Sequence, residues 1–203
     1  MLYLQKGRFQ KVVRFMGGSW MNATQATVYG VIFIFLTAAS FYLGLTYENW
    51  RWTLLLVPMF LFLRLAMNTL DGMLSREYGS ATASGELWNE ALDVFGDTIC
   101  YGSLLLVTAV PYKPLVLFIV LLWAAEFFGV LGKSMPGGIR RHETIGGGKP
   151  DRAVWMGLAA VLLFFFPEFI NYFSYYLLFV SLLVGLTIII RIRKTIQAAR
   201  GKE

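Results

Sequence analysis

RLAMNTLDGMLSR (residues 64–76) places charged and polar side chains at the end of an apolar run that covers residues 53–75. At about 100° per residue on an α-helix, four of its polar side chains fall within one narrow arc. They are Arg64, Asn68, Asp71 and Ser75. A carboxylate inside a bilayer-spanning helix is energetically unfavourable, so its presence there indicates a functional site. The stretch therefore predicts a membrane helix with one functional polar face.

A second polar arc is predicted on the following helix. Its members are Glu86, Asn89, Glu90, Asp93 and Asp97. Oxygen atoms of carboxylates and amides are the ligands that hard divalent cations such as Mg²⁺ take in proteins. Two such arcs on consecutive helices predict the two walls of a metal site.

The composition of the whole chain predicts a membrane protein. The 203 residues are 57% hydrophobic, with a mean hydropathy of +0.61, which exceeds the apolar share of an ordinary soluble domain. Six apolar runs approach or exceed the roughly 20 residues that a helix needs to cross a bilayer. They cover residues 24–47, 53–75, 86–110, 113–132, 153–170 and 172–190. We therefore expect an all-α integral membrane bundle of six transmembrane helices.

The basic residues predict the orientation of this bundle. Fifteen of the 18 Lys and Arg residues lie before the first run, after the second, between the fourth and fifth, or after the sixth. Arg51 and Lys113 lie on the opposite side. Because Lys and Arg accumulate in cytoplasmic loops, we expect both termini in the cytoplasm, in a multi-pass protein of the bacterial inner membrane.

Three segments are predicted along the chain. In residues 1–20, apolar side chains lie opposite basic ones on a helical wheel, which predicts an amphipathic helix in the lipid headgroup layer. A charge cluster that only orients the first span is the alternative. Residues 21–195 are expected to form the six-helix transmembrane domain, and residues 196–203 a basic cytoplasmic tail.

The spacing of residues 68–93 resembles the signature of the CDP-alcohol phosphotransferase family. That signature is D-x2-D-G-x2-A-R-x8-G-x3-D-x3-D, and this chain reads N-x2-D-G-x2-S-R-x8-G-x3-N-x3-D with the spacing unchanged. The departures are Asn68, Ser75 and Asn89. The serine is a mild change, whereas each asparagine replaces a carboxylate. The pattern is most similar to a divergent bacterial branch of the family.

The resemblance implies an enzyme of phospholipid synthesis. Members of the family transfer a substituted phosphate group from a CDP-linked alcohol to a hydroxyl acceptor and release CMP. Divalent cations neutralise the pyrophosphate in such reactions, so the implied cofactor is Mg²⁺ or Mn²⁺. The implied catalytic base is Asp93. The implied metal ligands are Asn68, Asp71, Asn89 and Asp93, and the implied CDP-binding residues are Gly72, Ser75, Arg76 and Gly85.

A basic, glycine-rich segment at residues 137–152 is the expected acceptor site. Family members with phosphorylated acceptors hold the acceptor phosphate in this region, and Lys149 and Arg152 match by location. Glycine with spaced cations suits an anionic ligand at the membrane surface. The alternative is that this segment is an ordinary cytoplasmic loop, whose basic residues orient the protein and whose glycines form turns. Glu126 is a further acid, in the fourth run. The sequence leaves open whether it pairs with Arg64 or extends the active-site network.

The two asparagines leave the metal content open. An amide oxygen still ligates Mg²⁺ but supplies no charge, so the four ligand positions carry −2 in place of −4. A single metal ion or a rearranged pair fits this charge, and Glu90 or Asp97 is near enough on the helix to restore part of it. Loss of catalysis is the alternative, and the retained Asp93 argues against it.

The function indicated is therefore phosphatidyl transfer, with CDP-diacylglycerol as the expected donor because a lipid suits a site between membrane helices. The expected partners are a CDP-linked lipid or alcohol, a polar hydroxyl acceptor and membrane lipid, with no nucleic acid, and the resemblance implies a homodimer. Two other functions stay open: a non-catalytic nucleotide- or lipid-binding relative, and a small transporter. Transporters often show repeated halves, and the sequence contains no evident repeat.

Overall fold

The structure is a computed structural model that describes residues 21–77, 82–135 and 145–200. The side chains of Arg76 and Glu77 are outside that description. The amphipathic helix predicted for residues 1–20 lies outside the described residues, as do the loop 136–144 and the last three residues of the predicted tail.

Every regular element in the described ranges is helical, which confirms the all-α prediction. The six α-helices are α1 Ala23–Thr46, α2 Leu56–Glu77, α3 Ala83–Gly102, α4 Tyr112–Leu131, α5 Lys149–Phe165 and α6 Phe173–Arg200. The 3₁₀ segments Glu48–Leu55 and Pro167–Tyr172 lead into α2 and α6, and Ser103–Leu106 extends α3. Because α6 continues to Arg200, residues 196–200 of the predicted tail are helical.

Four of these helices are long and apolar enough to cross a membrane, counting the described residues alone. They are α1, α2 with its 3₁₀ segment, α4, and α6 with its 3₁₀ segment. The chain is thus a multi-pass integral membrane helical bundle. The other two expected spans fall short for different reasons: α3 carries four acidic residues, and α5 has 17 residues.

Side-chain pairs fix the direction of α3 relative to α2. Arg64 of α2 binds Asp97 of α3, and Asn68 of α2 binds Asp93 of α3. Residue numbers therefore rise along one helix as they fall along the other. The two helices run antiparallel through the same layer of the bundle.

The contacts of α5 place it in that layer as well. Arg152 binds Asp97, which puts it at the level of Arg64. One to two turns further along α5, a Cβ on Gly157 would lie 3.1 Å from Pro58 of α2. Since the contacts move from residue 64 to residue 58 of α2 as α5 advances, α5 is also antiparallel to α2.

Local hydrogen bonds define where α3 and α5 begin. The Gly85 N–H donates to the hydroxyl of Thr82, the N-cap of α3, at 3.1 Å. The Gly148 N–H donates to Asp151 Oδ2 at 3.2 Å, across the first turn of α5. Side-chain acceptors at a helix start satisfy N–H groups that have no partner within the helix. These caps fix the first turns on which the polar residues of α3 and α5 depend.

Small residues allow the closest approaches between helices. Lipid is as apolar as the helix surfaces, so helices in a bilayer associate largely through close van der Waals packing at small residues. Gly147, just before α5, shows this: a Cβ there would lie 2.5 Å from the carbonyl oxygen of Leu183 and 2.6 Å from the Cα of Val184. The backbone before α5 is therefore fitted directly against α6.

Replacing Gly147 with alanine should destabilise the protein, because either the start of α5 or α6 must move to admit the methyl group. Overpacking of this kind costs about 1–3 kcal/mol. Thermal unfolding of the detergent-solubilised protein should show a lowered Tm. Gly185→Ala is the matched control, since no heavy atom lies within 4 Å of a Cβ at that position. Equal Tm values for the two variants would contradict the close contact.

Candidate active site

Asn68 and Asp93 meet across the interface between α2 and α3. The Asn68 amide nitrogen donates to Asp93 Oδ1 at 2.5 Å. Asp93 is buried and Asn68 is half-buried. The structure thus brings into contact one position from each end of the signature, both of them predicted metal ligands, and Asp93 is also the predicted base.

Lys149 is the third member of this contact. Its ammonium donates to Asp93 Oδ1, the oxygen that the Asn68 amide also reaches. Lys149 is the first residue of α5, and 16% of its side chain is exposed. The residue predicted to bind the acceptor therefore lies against the carboxylate predicted to take the acceptor's proton.

Asp71 has a different environment. The Thr27 hydroxyl of α1 donates to Asp71 Oδ2 at 2.8 Å, and the Ser75 hydroxyl donates to Oδ1 at 3.3 Å. Among the described side chains, no cation pairs with this carboxylate. Sequence reasoning did not identify Thr27, because its contribution comes from a helix outside the signature.

The remaining signature positions lie on the same two helices. Asn89 is half-buried one turn before Asp93, and its side chain hydrogen-bonds to no residue that the structure describes. Gly72 is half-buried on α2, and Gly85 is exposed in the first turn of α3. The side chain of Arg76 is outside the described atoms, so its contact with CDP stays a prediction.

A buried ion network lies one helical turn from these residues. Arg64 donates to Asp97 Oδ1, and Arg152 Nη2 lies 2.9 Å from both Asp97 Oδ2 and Glu126 Oε1. Arg191 Nη1 is 3.9 Å from Glu126 Oε1 and donates to the backbone of α4. The network connects α2, α3, α4, α5 and α6. Buried ions require such partners, because removing one leaves an uncompensated charge.

Sequence reasoning missed most of this network. Arg152 and Arg191 were counted as cytoplasmic loop charges, whereas Arg152 is 0% exposed and Arg191 is buried. Glu126 pairs with these two arginines, whereas the sequence leaves open a pairing with Arg64 or an extension of the active-site network. Glu126 is the residue from which the network could have been predicted, because an acid in an apolar membrane run needs a cationic partner.

The burial of Arg152 bears on its predicted role. Its guanidinium donates to Asp97, to Glu126 and to the carbonyl oxygen of Gly147 at 3.3 Å. Among the residues that the structure describes, the Arg152 Nε atom has no hydrogen-bond partner. Acceptor binding by Arg152 stays a prediction. The contacts of its guanidinium hold the start of α5 in place.

The two acids considered as substitute ligands both have cationic partners. Asp97 binds two arginines, as described above. Lys133 Nζ lies 2.5 Å from Glu86 Oε1 and 3.1 Å from Glu90 Oε1, which joins the end of α4 to the first turns of α3. The hydrogen bond from Lys133 to Glu86 raises the pKa of the lysine above its ordinary value, against an opposing effect of burial.

The side chains around Asp71 and Asp93 offer few charged donors for a divalent cation. No three Asp, Glu, His or Cys side chains of the described residues lie close enough together to hold a metal ion. Asp93 is already paired with a cation, Lys149. Asp71 is surrounded by hydroxyl oxygens, and Asn68 lies one turn before it on the same helix face. Mg²⁺ accepts such oxygen ligands and usually keeps several waters.

Comparison with known proteins gives one informative relationship. The chain is 32% identical over 142 residues to the inner membrane protein YnbA of Escherichia coli strain K12, an alignment that covers 70% of this chain and 70% of that protein. No family model matches the sequence. No solved structure matches it.

Asp97→Ala should destabilise the protein strongly, because it leaves Arg64 and Arg152 without the carboxylate that joins them. Breaking a buried pair by removing one partner costs about 3–5 kcal/mol. Glu86→Ala is the control: it removes an acid from the same helix, but the side chain is 65% exposed, where such pairs contribute less than about 1 kcal/mol. Thermal unfolding of both variants measures the difference, and equal losses of Tm would contradict the network.

Proposed function

We propose a function that starts from one premise: the chain belongs to the family of the inner membrane protein YnbA. In this proposal the chain is a CDP-alcohol phosphotransferase, a membrane enzyme of phospholipid synthesis. It transfers a substituted phosphate group to a hydroxyl acceptor and releases CMP. The group is phosphatidyl, donated by CDP-diacylglycerol. The contact between Asn68 and Asp93 carries the proposal, because it joins the two ends of the signature within an apolar bundle.

Asp93 is the general base in this proposal. Its Oδ1 accepts hydrogen bonds from Asn68 and Lys149, and Oδ2 is the oxygen left to take the proton of the acceptor hydroxyl. The acceptor oxygen forms a bond to the β-phosphorus, and the bond from that phosphorus to CMP breaks with its electron pair on CMP. A positioned carboxylate contributes about 10²–10⁴-fold to the rate of such a step.

Asp71 anchors the metal in this proposal, with Asn68 and Asn89 as amide ligands and Asp93 on the opposite wall. The hydroxyls of Thr27 and Ser75 hold both oxygens of the Asp71 carboxylate in place. When bound, Mg²⁺ or Mn²⁺ supplies positive charge against the pyrophosphate of the CDP group.

The remaining signature residues bind the nucleotide. Gly72 and Gly85 carry no side chain that would obstruct a nucleotide near the backbone. Ser75 and Arg76 are the proposed polar contacts of CDP, since a guanidinium pairs well with phosphate oxygens. Lys149 faces the acceptor from the start of α5.

Six helices cross the membrane in this proposal, with both termini in the cytoplasm. The support comes from the antiparallel packing of α3 and α5 beside α2, because helices that share the ion pairs of Asp97 pass through one layer. Charged groups are tolerated at membrane depth when they face the bundle interior and pair with one another. At 1.5 Å per residue, the 17 residues of α5 extend about 26 Å, close to the roughly 30 Å hydrocarbon core. The resemblance also supports a homodimer.

A non-catalytic relative that binds a CDP-linked lipid is the second candidate. The observation that favours it is the ion pair between Lys149 and Asp93, since an ammonium held against the base competes with the acceptor proton for that carboxylate. Release of CMP separates the two candidates.

The purified protein, given Mg²⁺, CDP-diacylglycerol and a panel of hydroxyl acceptors, should release CMP. Asp93→Asn should lower this rate by about 10²–10⁴-fold and retain CDP binding, because amide and carboxylate have nearly the same shape. Glu86→Gln is the control from the same helix and should keep the wild-type rate, since Glu86 contacts Lys133 at the surface. A wild-type rate in Asp93→Asn would remove Asp93 from the mechanism.

Metal dependence is tested separately. Chelator should abolish CMP release, and Asp71→Ala should abolish metal-dependent binding of CDP, because the anchoring carboxylate is gone. Full turnover in excess chelator would exclude the proposed cofactor.

Six crossings place Lys113 on the periplasmic side of the inner membrane and Ile145 on the cytoplasmic side. Four crossings that leave α3 and α5 on one side reverse both positions. Lys113→Cys and Ile145→Cys should therefore differ in labelling by a membrane-impermeant maleimide added to whole cells, with residue 113 labelled and residue 145 protected. The wild-type protein is the control, since its one cysteine, Cys100, is buried. The opposite labelling pattern would overturn the six-crossing arrangement.

A further inference from the structure

We infer that the Lys149 ammonium stands in for one of the two divalent cations of a two-metal site, so that each chain binds one metal ion. The inference rests on the proposed function for the identity of the site. It assigns Lys149 a role in the charge of the reaction centre, beyond contact with an acceptor.

The position of the ammonium is the first support. Lys149 Nζ binds Asp93 Oδ1, and the two side chains are 16% and 11% exposed. A cation of the chain itself is therefore in contact with the carboxylate that a second metal would need. A divalent ion in the same contact would lie against a positive charge, and two cations a few ångströms apart repel strongly in a partly buried site.

The two asparagines are the second support. Asn68 and Asn89 stand where the signature has carboxylates, so these positions carry two negative charges fewer. Two negative charges are the charge that one divalent cation balances. The two asparagines therefore remove the negative charge that a second divalent cation would balance.

The direction of the Asn68 hydrogen bond agrees with this. Its amide nitrogen donates to Asp93 Oδ1. Two carboxylates at positions 68 and 93 would repel each other unless a cation lay between them, whereas an amide and an ammonium satisfy Asp93 directly. Asn68 and Lys149 together supply to Asp93 what a second cation would supply.

Lys149 is held by a rigid part of the fold, which distinguishes it from a surface lysine. Gly147 is packed on the backbone of α6, and the Gly148 N–H donates to Asp151 at the start of α5. One turn later, Arg152 binds two buried carboxylates. The backbone of Lys149 is thus fixed on both sides, and its ammonium reaches Asp93 from a defined point.

The number of bound metal ions tests the inference without substrate or turnover. Mn²⁺ titrated into the purified full-length protein, followed by electron paramagnetic resonance, should give one site per chain and no spin-coupled pair. Asp71→Ala should bind no Mn²⁺ at this site. Two spin-coupled ions in the wild-type protein, or no bound ion, would overturn the inference.

Variants then test the lysine itself. Lys149→Met should tighten Mn²⁺ binding by about tenfold or more, because an adjacent positive charge is removed, whereas Lys149→Arg keeps the charge and should not. Lys133→Met is the matched control: it removes a cation that is paired with α3 acids near the surface and should leave the affinity unchanged. Equal affinities in all three variants would show that Lys149 does not oppose the metal.

The triple variant Asn68→Asp, Asn89→Asp, Lys149→Met should bind a second, spin-coupled Mn²⁺, and one ion in a folded triple variant would count against the inference. Failure of the proposed function has a different signature. In that case the wild-type protein binds one Mn²⁺ and releases no CMP from any CDP-linked alcohol. A wild-type protein that releases CMP and binds two ions would instead keep the proposed function and overturn the role of Lys149.

Discussion

The carboxylate of Asp97 holds together the part of the bundle on which the site depends. It lies on α3, binds Arg64 of α2 and Arg152 of α5, and is 2% exposed. In lipid no hydrophobic force draws helices together, and a buried ion without its partner is far more unfavourable than a lost apolar contact. The three helices must therefore keep the one register in which both arginines reach the same carboxylate. The geometry of the candidate site follows from that register.

Three residues of the candidate site each lie one helical turn from a member of the buried network. The pairs are Arg64 with Asn68, Asp97 with Asp93, and Arg152 with Lys149. Residues three or four apart share a helix face, so the register that joins the buried arginines to Asp97 also brings the second set together. The ion pairs of the network hold the helices in this register. The charged region of this apolar bundle thus has two layers: the buried ion pairs hold the helices in register, and the residues one turn away form the candidate site.

The sequence predicted what depends on neighbouring turns and neighbouring helices. Apolar runs located the helices, and the spacing of the signature indicated that Asn68 and Asp93 would lie on facing helices. It did not predict that Lys149 binds Asp93 or that Arg191 is buried beside Glu126, because these partners come from helices far apart in the chain. Mean hydropathy also fails to identify α3 as a candidate membrane span, because its four acids lower the value. Two of these acids, Asp93 and Asp97, nevertheless face buried partners or the site. Long-range pairing, which periodicity cannot encode, is what the structure adds.

Charge balance connects the asparagines to the stability of the bundle. Among the side chains that the structure describes, the site and its network contain the cations Arg64, Lys149, Arg152 and Arg191 and the anions Asp71, Asp93, Asp97 and Glu126. These eight charges cancel one another. Two further carboxylates at positions 68 and 89 would leave two uncompensated negative charges where burial penalises them, and folding would then be coupled to metal binding. With amides at both positions, the described charges of the site and its network balance one another without a further cation.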